Sequence, residues 1–340
     1  MEKEHRLEQA IASLPHTPLA VKPTPLEPMP RLSQTLGGPP LYIKRDDLTG
    51  LAFGGNKTRM LELSLADALD KGAGTIVTGA AVQSNYCRQM AAACAKLGLE
   101  LHLVLRPVRP IDRQQVQGNH FLQRLFGAQV TILEDRDQAK QQARIAAKAN
   151  ELRAAGKNVY IPRQPDTVDL DVIAYADSAL EVARQCRDLG IEPSSLYLCA
   201  LDTTQAGVVL GLSYLDSSIR IKGISPFEGM PGRCKNMADM ANQAADRLDL
   251  DIEFMPDDFD NDDSFVGERY GIPTAAGIEA INLVAQTEGI LLDPVYTSKA
   301  MSALIAHIRQ GQLASDAPVV FLHTGGAPAL FGYVDDILAG

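Results

Sequence analysis

The chain has 340 residues, 46% of them hydrophobic and 22% charged, a globular composition with room for one large or two medium domains. A net charge of −10 leaves no basic surplus to neutralise a phosphate backbone, so a nucleic-acid partner is excluded. No apolar run reaches membrane-spanning length, residues 1–20 lack the apolar core of a signal peptide, and the five cysteines are scattered without a C-x-x-C pair; a soluble cytoplasmic protein with no membrane partner and no metal is expected.

In chain order, residues 1–40 carry prolines at 15, 18, 23, 25, 28, 30, 39 and 40, which argues against long regular elements there. A short β-like run, Leu41-Tyr42-Ile43, then leads through charged residues to Gly54-Gly55-Asn56-Lys57-Thr58-Arg59, where helical periodicity begins. From there the pattern alternates. Helices are expected over 60–71, 84–97, 114–126, 138–155, 174–189, 204–215 and 235–247, and strands over 75–78, 101–105, 130–133, 159–162, 196–200 and 219–224. Such alternation predicts an α/β protein of two three-layer αβα domains with mostly parallel, twisted sheets. The chain changes character near 162–169, and the division expected is a smaller domain at 59–164 and a larger, discontinuous one at 1–58 plus 165–340. Between 246 and 263 nine acids face the single Arg247. Asp258-x-Asp260-x-Asp262 has the spacing of a calcium loop, but Asp263 and Arg269 stand where that loop needs Gly and Glu, so a solvated acidic loop is expected.

Several stretches could carry chemistry. Gly50 and Gly55 have P-loop spacing, but Asn56 intervenes before Lys57, so the lysine is misplaced for an NTPase. A lysine at a helix mouth behind two glycines either holds an anion or acts as a nucleophilic amine. Gly79-Ala80-Ala81-Val82-Gln83-Ser84-Asn85 follows a strand and opens a helix, where Ser84 is at least a helix cap and the N–H groups suit a carboxylate. Thr203 and Thr204 open a later helix and suit a phosphate. Tyr270, Tyr296, Thr297, His323 and Thr324 lie in turn-like segments beyond.

Six stretches taken together, TPLEPMPRLS, LYIKRDDLTGLAFGGNKTR, QSNYCRQMAAACAKLGL, GERYGIPT, EGILLDPVYTSKAM and HTGGAPALFGY, run in order from Thr24 to Tyr333. On these motifs the chain resembles the D-cysteine desulfhydrase / 1-aminocyclopropane-1-carboxylate deaminase family of fold type II pyridoxal-phosphate enzymes. The resemblance implies that Lys57 is the Schiff-base lysine, with Asn56, Asn85, Thr203, Thr204 and Thr324 on the cofactor. It places Gln83, Ser84, Asn85 and Thr297 on the substrate, and makes Ser84, Tyr270 and Tyr296 catalytic together with Lys57. The glycines before Lys57 would give clearance for a flat cofactor ring. Cyclopropane deaminases have residues like Glu and Leu at the positions of Thr297 and Thr324, so this chain falls on the desulfhydrase side. The implied reaction is α,β-elimination from a small, D-cysteine-like amino acid, giving a 2-oxo acid, ammonia and a β-leaving group such as sulfide. A homodimer is implied as well.

The sequence departs from the family pattern in four places. The glycine-rich phosphate loop is replaced by Ala200-Leu201-Asp202-Thr203-Thr204. Arg163-Gln164-Pro165-Asp166 stands in place of a glycine turn, Tyr86 in place of His, and Ser225-Pro226-Phe227-Glu228 in place of a VSRS-like turn. The alternative is therefore a diverged relative with a remodelled pocket, acting on a different amino acid or only binding a ligand.

Overall fold

The computed structural model describes residues 2–110, 116–200, 202–314 and 316–338. Ten strands form two sheets among these residues: β1 (Leu26–Pro28), β2 (Leu41–Lys44), β3 (Thr75–Thr78), β4 (Glu100–Leu105), β5 (Gln129–Ile132), β6 (Val159–Tyr160), β7 (Ser195–Cys199), β8 (Arg220–Ile224), β9 (Asp260–Asp262) and β10 (Val319–Leu322). The helices are α1 (Glu2–Ala12), α2 (Pro30–Leu36), α3 (Lys57–Asp70), α4 (Asn85–Leu97), α5 (Gly118–Leu125), α6 (Gln138–Ala154), α7 (Asp169–Leu189), α8 (Thr203–Tyr214), α9 (Arg233–Arg247), α10 (Ala275–Glu288), α11 (Thr297–Arg309) and α12 (Val334–Leu338).

The larger sheet has the order β1-β2-β10-β7-β8-β9 and the smaller β5-β4-β3-β6. Only the β1–β2 pair is antiparallel, as the strand–helix alternation predicts. Strand side chains alternate between two helical layers. Leu196, Leu198, Val320 and Leu322 join the core beneath α7, α8 and α9, while Tyr197, Cys199, Val319 and Phe321 join the core beneath α10 and α11. The smaller sheet divides in the same way. Ile76, Leu101, Leu103 and Leu105 face α3 and α4, whereas Val77 and Val104 face α6.

Helix α8 is buried nearly all round, and it lies close to α7 because two of its positions have no side chain. A Cβ on Gly207 would meet the Val172 carbonyl oxygen at 2.2 Å, and one on Gly211 the Ala179 Cβ at 2.5 Å. This close packing sets where the first turn of α8 ends up.

Three expectations need correction. The N-terminal region contains the eleven-residue α1, because its prolines begin only at Pro15; Leu7 is buried against the main core, and Arg184 holds Glu8 at 2.8 Å. Helix α7 starts five residues before the apolar periodicity does, with Asp169 and Asp171 in its first turn, where carboxylates favour the helix dipole. The acidic stretch is not all loop: Asp260–Asp262 is an edge strand parallel to β8, and Lys222 pairs with Asp260 at 2.8 Å. The start of the helix expected at Gln114 lies outside the described residues, and α5 begins at Gly118.

Candidate active site

The carboxyl ends of strands from both sheets converge on one cavity of about 470 Å³. Asn56 and Lys57 reach it from the segment after β2, Gly79–Ala81 after β3, Arg106 after β4, Ile161–Gln164 after β6, Asp202 and Thr203 after β7, Phe227 after β8, and Thr324 after β10. Ligands of open α/β sheets bind at this end.

Lys57 is the first residue of α3 and is buried. Burial, and then the positive charge of Arg163, disfavour its ammonium form and pull its pKa down to about 7, against the opposing pull of Asp171 and Asp202. About half of the amine is therefore unprotonated at neutrality, where an ordinary lysine is almost wholly charged, and the free amine is the form a nucleophile needs. Its loop is held from three sides. Asn56 donates its backbone N–H to the Thr324 carbonyl (3.0 Å) and its Nδ2 to Thr204 Oγ1 (3.2 Å), and Arg88 donates to the Gly54 carbonyl (2.5 Å).

The two glycines do not serve as clearance for a cofactor ring. A Cβ on Gly54 would lie 2.0 Å from the Asp47 carbonyl oxygen, and one on Gly55 would lie 2.7 Å from Gln89 Nε2. A Cβ on Gly325 would lie 2.6 Å from the Gly55 Cα. These glycines let the lysine loop and the Thr324 loop touch.

Beneath the loop lies a buried ionic network that motif reasoning missed. Arg59 donates to both carboxylate oxygens of Asp46 (2.9 Å each) and to Glu181 (2.8 and 2.7 Å). Thr24 and Tyr175 donate to Asp46 at 2.7 and 2.8 Å, and Lys44 donates to Glu181 at 2.7 Å. The network ties β2, α3 and α7 together and so fixes the direction in which α3 presents Lys57. The charged run KRDD and the following TR are visible in the sequence, but their pairing with Glu181 is not.

Ser84 caps α4, its Oγ accepting from the Cys87 N–H at 3.2 Å, and lines the cavity. Asn85 accepts on Oδ1 from Asn119 Nδ2 (2.7 Å), an orientation that keeps its own Nδ2 as a donor. Tyr270 and Tyr296 share a short hydroxyl–hydroxyl hydrogen bond at the cavity wall. Burial drives the Tyr270 phenol up to about 12 and also raises that of Tyr296 well above the usual phenol range, so both stay protonated. Phe227 stacks on Tyr270 with ring centroids 4.0 Å apart.

Three site residues expected from the sequence are not among the residues lining the cavity. Gln83 turns away, accepting on Oε1 from the Asn119 N–H (2.9 Å) and donating to the Gln117 carbonyl (3.0 Å). Thr297 is fully buried in a turn around Asp293, to whose carboxylate it donates both its N–H (2.8 Å) and its hydroxyl (2.9 Å). That turn also receives the Tyr296 N–H (3.1 Å), so Thr297 acts on the position of Tyr296. Thr204 is likewise fully buried and accepts from Asn56. Thr203, Asn56 and Thr324 do line the cavity.

At the mouth of α8, Asp202 takes φ +40°, a region glycine occupies more cheaply, and its side chain does not cap the helix. Asp202 thus holds a backbone posture suited to glycine, and the first N–H groups of α8 stay available for an anion. Leu201 lies outside the described residues. A reactive buried amine, open helix N–H groups, the Asn85 donor and a cavity of this volume fit a flat phosphorylated aldehyde. Among the described residues lining the cavity, the Asp202 carboxylate is the one charge that opposes it.

The sequence profile described as "Pyridoxal-phosphate dependent enzyme" matches residues 17–325. The chain belongs to this family. Its cofactor is pyridoxal phosphate. Among its relatives, a D-cysteine desulfhydrase of Serratia proteamaculans (strain 568) is 40% identical over 332 residues, covering 96% of this chain and 98% of that one. A D-cysteine desulfhydrase of Salmonella newport (strain SL254) is 39% identical over 334 residues, with 95% and 97% covered. A crystal structure described as an ACC deaminase homologue superposes with TM-score 0.89 at 32% identity, covering 98% of each chain. Escherichia coli diaminopropionate ammonia lyase in apo form superposes with TM-score 0.67 at 15% identity, covering 100% of this chain and 91% of that one, which is a likeness of fold alone. The fold is that of fold type II pyridoxal-phosphate enzymes.

Proposed function

We propose that the protein is a pyridoxal-phosphate-dependent lyase that removes a β-substituent and ammonia from a small amino acid of the D-cysteine kind. The observation that carries this is the buried Lys57, its pKa pulled down to about 7, facing the same cavity as Ser84, Asn85 and the hydrogen-bonded tyrosine pair. The full-length likeness to D-cysteine desulfhydrases supports the substrate class.

The cofactor supplies the carbonyl that captures an amino group and the ring that delocalises charge from the substrate's α-carbon. The chain's own residues would do the rest. The Lys57 amine holds the cofactor and, once released, moves the α-proton. Ser84 and the N–H groups opening α4 hold the substrate carboxylate, Asn85 Nδ2 donates to the ring oxygen, and Thr203 with the first N–H groups of α8 holds the phosphate. Thr324, a neutral hydroxyl, takes the ring-nitrogen side. Tyr270 and Tyr296, both protonated, donate toward the departing β-group.

We place the domain boundary as the sequence suggests, at 59–164 against 1–58 plus 165–340, since all strands of the smaller sheet fall in the former and all those of the larger sheet in the latter. A cytoplasmic homodimer is also inferred. Its support is the set of five free cysteines and an apolar surface where α5 meets the segment before α12, exposing Phe121, Leu125, Phe331 and Val334. No helix among the described residues is long and apolar enough to cross a membrane.

The test is pyruvate and sulfide release from D-cysteine, compared with L-cysteine and 1-aminocyclopropane-1-carboxylate. D-Cysteine should give both products, and the cyclopropane compound should give no 2-oxobutanoate. No product from either cysteine would refute the desulfhydrase assignment.

A further inference from the structure

The four departures from the family pattern are scattered along the sequence at Tyr86, 163–166, Asp202 and Phe227, yet each contributes a residue to one cavity. Among the described residues its charged lining is Lys57, Arg106 and Arg163 against the single carboxylate of Asp202. Lys57 and Asp202 belong to the cofactor side, which leaves two arginines that cofactor binding does not explain.

Arg163 is built into one posture. Its backbone sits at φ +62°, where a non-glycine residue is strained, in the turn that replaces the family's glycines. Its guanidinium lies over the Tyr86 ring, 4.2 Å from the centroid, and its Nη2 is ion-paired with the buried Asp171 at 2.6 Å. Its Nε–H is buried without a hydrogen-bond partner. Arg106, at the end of β4, gives its donors to neutral acceptors, Gln141 Oε1 (3.0 Å) and the Arg136 carbonyl (3.3 Å), and no carboxylate among the described residues pairs with it. A guanidinium braced by a carboxylate and an aromatic face, with a donor to spare, is suited to recognising a planar or tetrahedral anion.

We propose that Arg163, with Arg106 beside it, makes this cavity selective for amino acids whose β-substituent is negatively charged, such as a phosphate, sulfate or carboxylate group. The inference rests on the lyase reading above and narrows its substrate class. With O-phosphoserine the balance is loss of the α-proton, departure of phosphate with the electron pair of the β C–O bond, and hydrolysis by one water to pyruvate, ammonia and phosphate. D-Cysteine, whose thiol is mostly neutral near pH 7, falls outside this class and would be a slower substrate.

Two measurements on the holoenzyme test this. The first is a titration of the cofactor's visible spectrum with each enantiomer of aspartate and asparagine, which match in size and differ in charge. The second is a comparison of kcat/KM for O-phosphoserine and β-chloroalanine. Wild type should bind one aspartate enantiomer about 10- to 100-fold more tightly than the matching asparagine, the range of one hydrogen-bonded charge pair. Arg163→Gln should abolish that preference, acting mainly through KM for O-phosphoserine, and should lower kcat/KM for O-phosphoserine at least about tenfold more than for β-chloroalanine, since any change at Lys57 is common to both; Arg163→Lys should recover part of the difference. Aspartate binding no better than asparagine, no spectral response to either, or an equal loss for charged and neutral ligands in Arg163→Gln would overturn the proposal. So would a loss of cofactor affinity in Arg163→Gln as large as the loss of aspartate affinity, because Arg163 would then be holding the cofactor phosphate. If no β-substituted amino acid is turned over but the Arg163-dependent aspartate preference is present, the lyase reading fails and the specificity of the cavity stands.

Discussion

The state of Lys57 can be measured through the rate at which the apoprotein captures its cofactor. With a pKa of about 7 against the ordinary 10.5, roughly three quarters of the amine is free at pH 7.5 where an ordinary lysine is about 0.1% free, a gain on the order of several hundredfold. The association rate of pyridoxal phosphate with apoprotein, followed by absorbance from pH 5.5 to 10.5, should rise with a midpoint near 7 and level off well below pH 10. Arg163→Gln should move the midpoint upward, because the Arg163 charge is the second cause of the depression after burial. The folded apoprotein binds fewer protons at Lys57 than the unfolded chain between pH 7 and 10.5, so the contribution of this group to stability rises across that window. An association rate that rises only near pH 10, or a midpoint that Arg163→Gln leaves in place, would refute this account of the amine.

Other predictions concern the frame around the lysine. Arg59→Met leaves Asp46 and Glu181 buried without their main cation and should cost about 3–5 kcal/mol. For a chain of 340 residues that lowers the melting midpoint by about 4–7 °C in differential scanning calorimetry, and an unchanged midpoint would remove the network from the account. Asp202→Gly should tighten cofactor binding in an equilibrium titration, since it relieves a strained backbone and removes the carboxylate from the mouth of α8; no change would mean that the carboxylate points away from the phosphate. Thr297→Val, which removes a hydroxyl that donates to the Asp293 carboxylate and accepts from the Asp293 N–H and that does not line the cavity, should lower kcat through Tyr296 while leaving cofactor affinity unchanged. Leu125→Asp together with Phe331→Asp should shift the protein from dimer to monomer in light scattering, and a monomeric wild type would discard the apolar surface as an interface.

Much of the fold was legible because strands buried on both faces have a plain signature. SLYLC in β7 and VVFL in β10 are nearly continuous apolar runs, each facing two helical layers at once. Lys57, Ser84, Asn85, Tyr270, Tyr296, Thr203 and Thr324 were legible as members of short motifs, and the structure brings all seven to one cavity. Side-chain direction within a motif was not legible. Gln83 and Ser84 are neighbours, but a helix start sends one toward Asn119 and the other into the cavity. Thr297 follows Tyr296 directly and points back into the Asp293 turn, a local competition that the residue types alone leave open. The reason for Gly55 was hidden too, because the backbone it must approach belongs to a loop some 270 residues later in the sequence. Arg163 and Tyr86 were visible only as departures from a pattern. Their contact needs a turn after β6 to meet the first turn of α4, which no local signal encodes.

The central claim, that this chain works through a cofactor held by Lys57, is tested most directly by reducing the purified protein with borohydride and mapping the adduct by peptide mass spectrometry. The protein as isolated, or after incubation with pyridoxal phosphate, should be yellow. Reduction should bleach the visible band and leave a phosphopyridoxyl group on Lys57, and Lys57→Ala should show neither band nor adduct. A protein that stays colourless with added cofactor, or an adduct on another lysine with Lys57 unmodified, would contradict it.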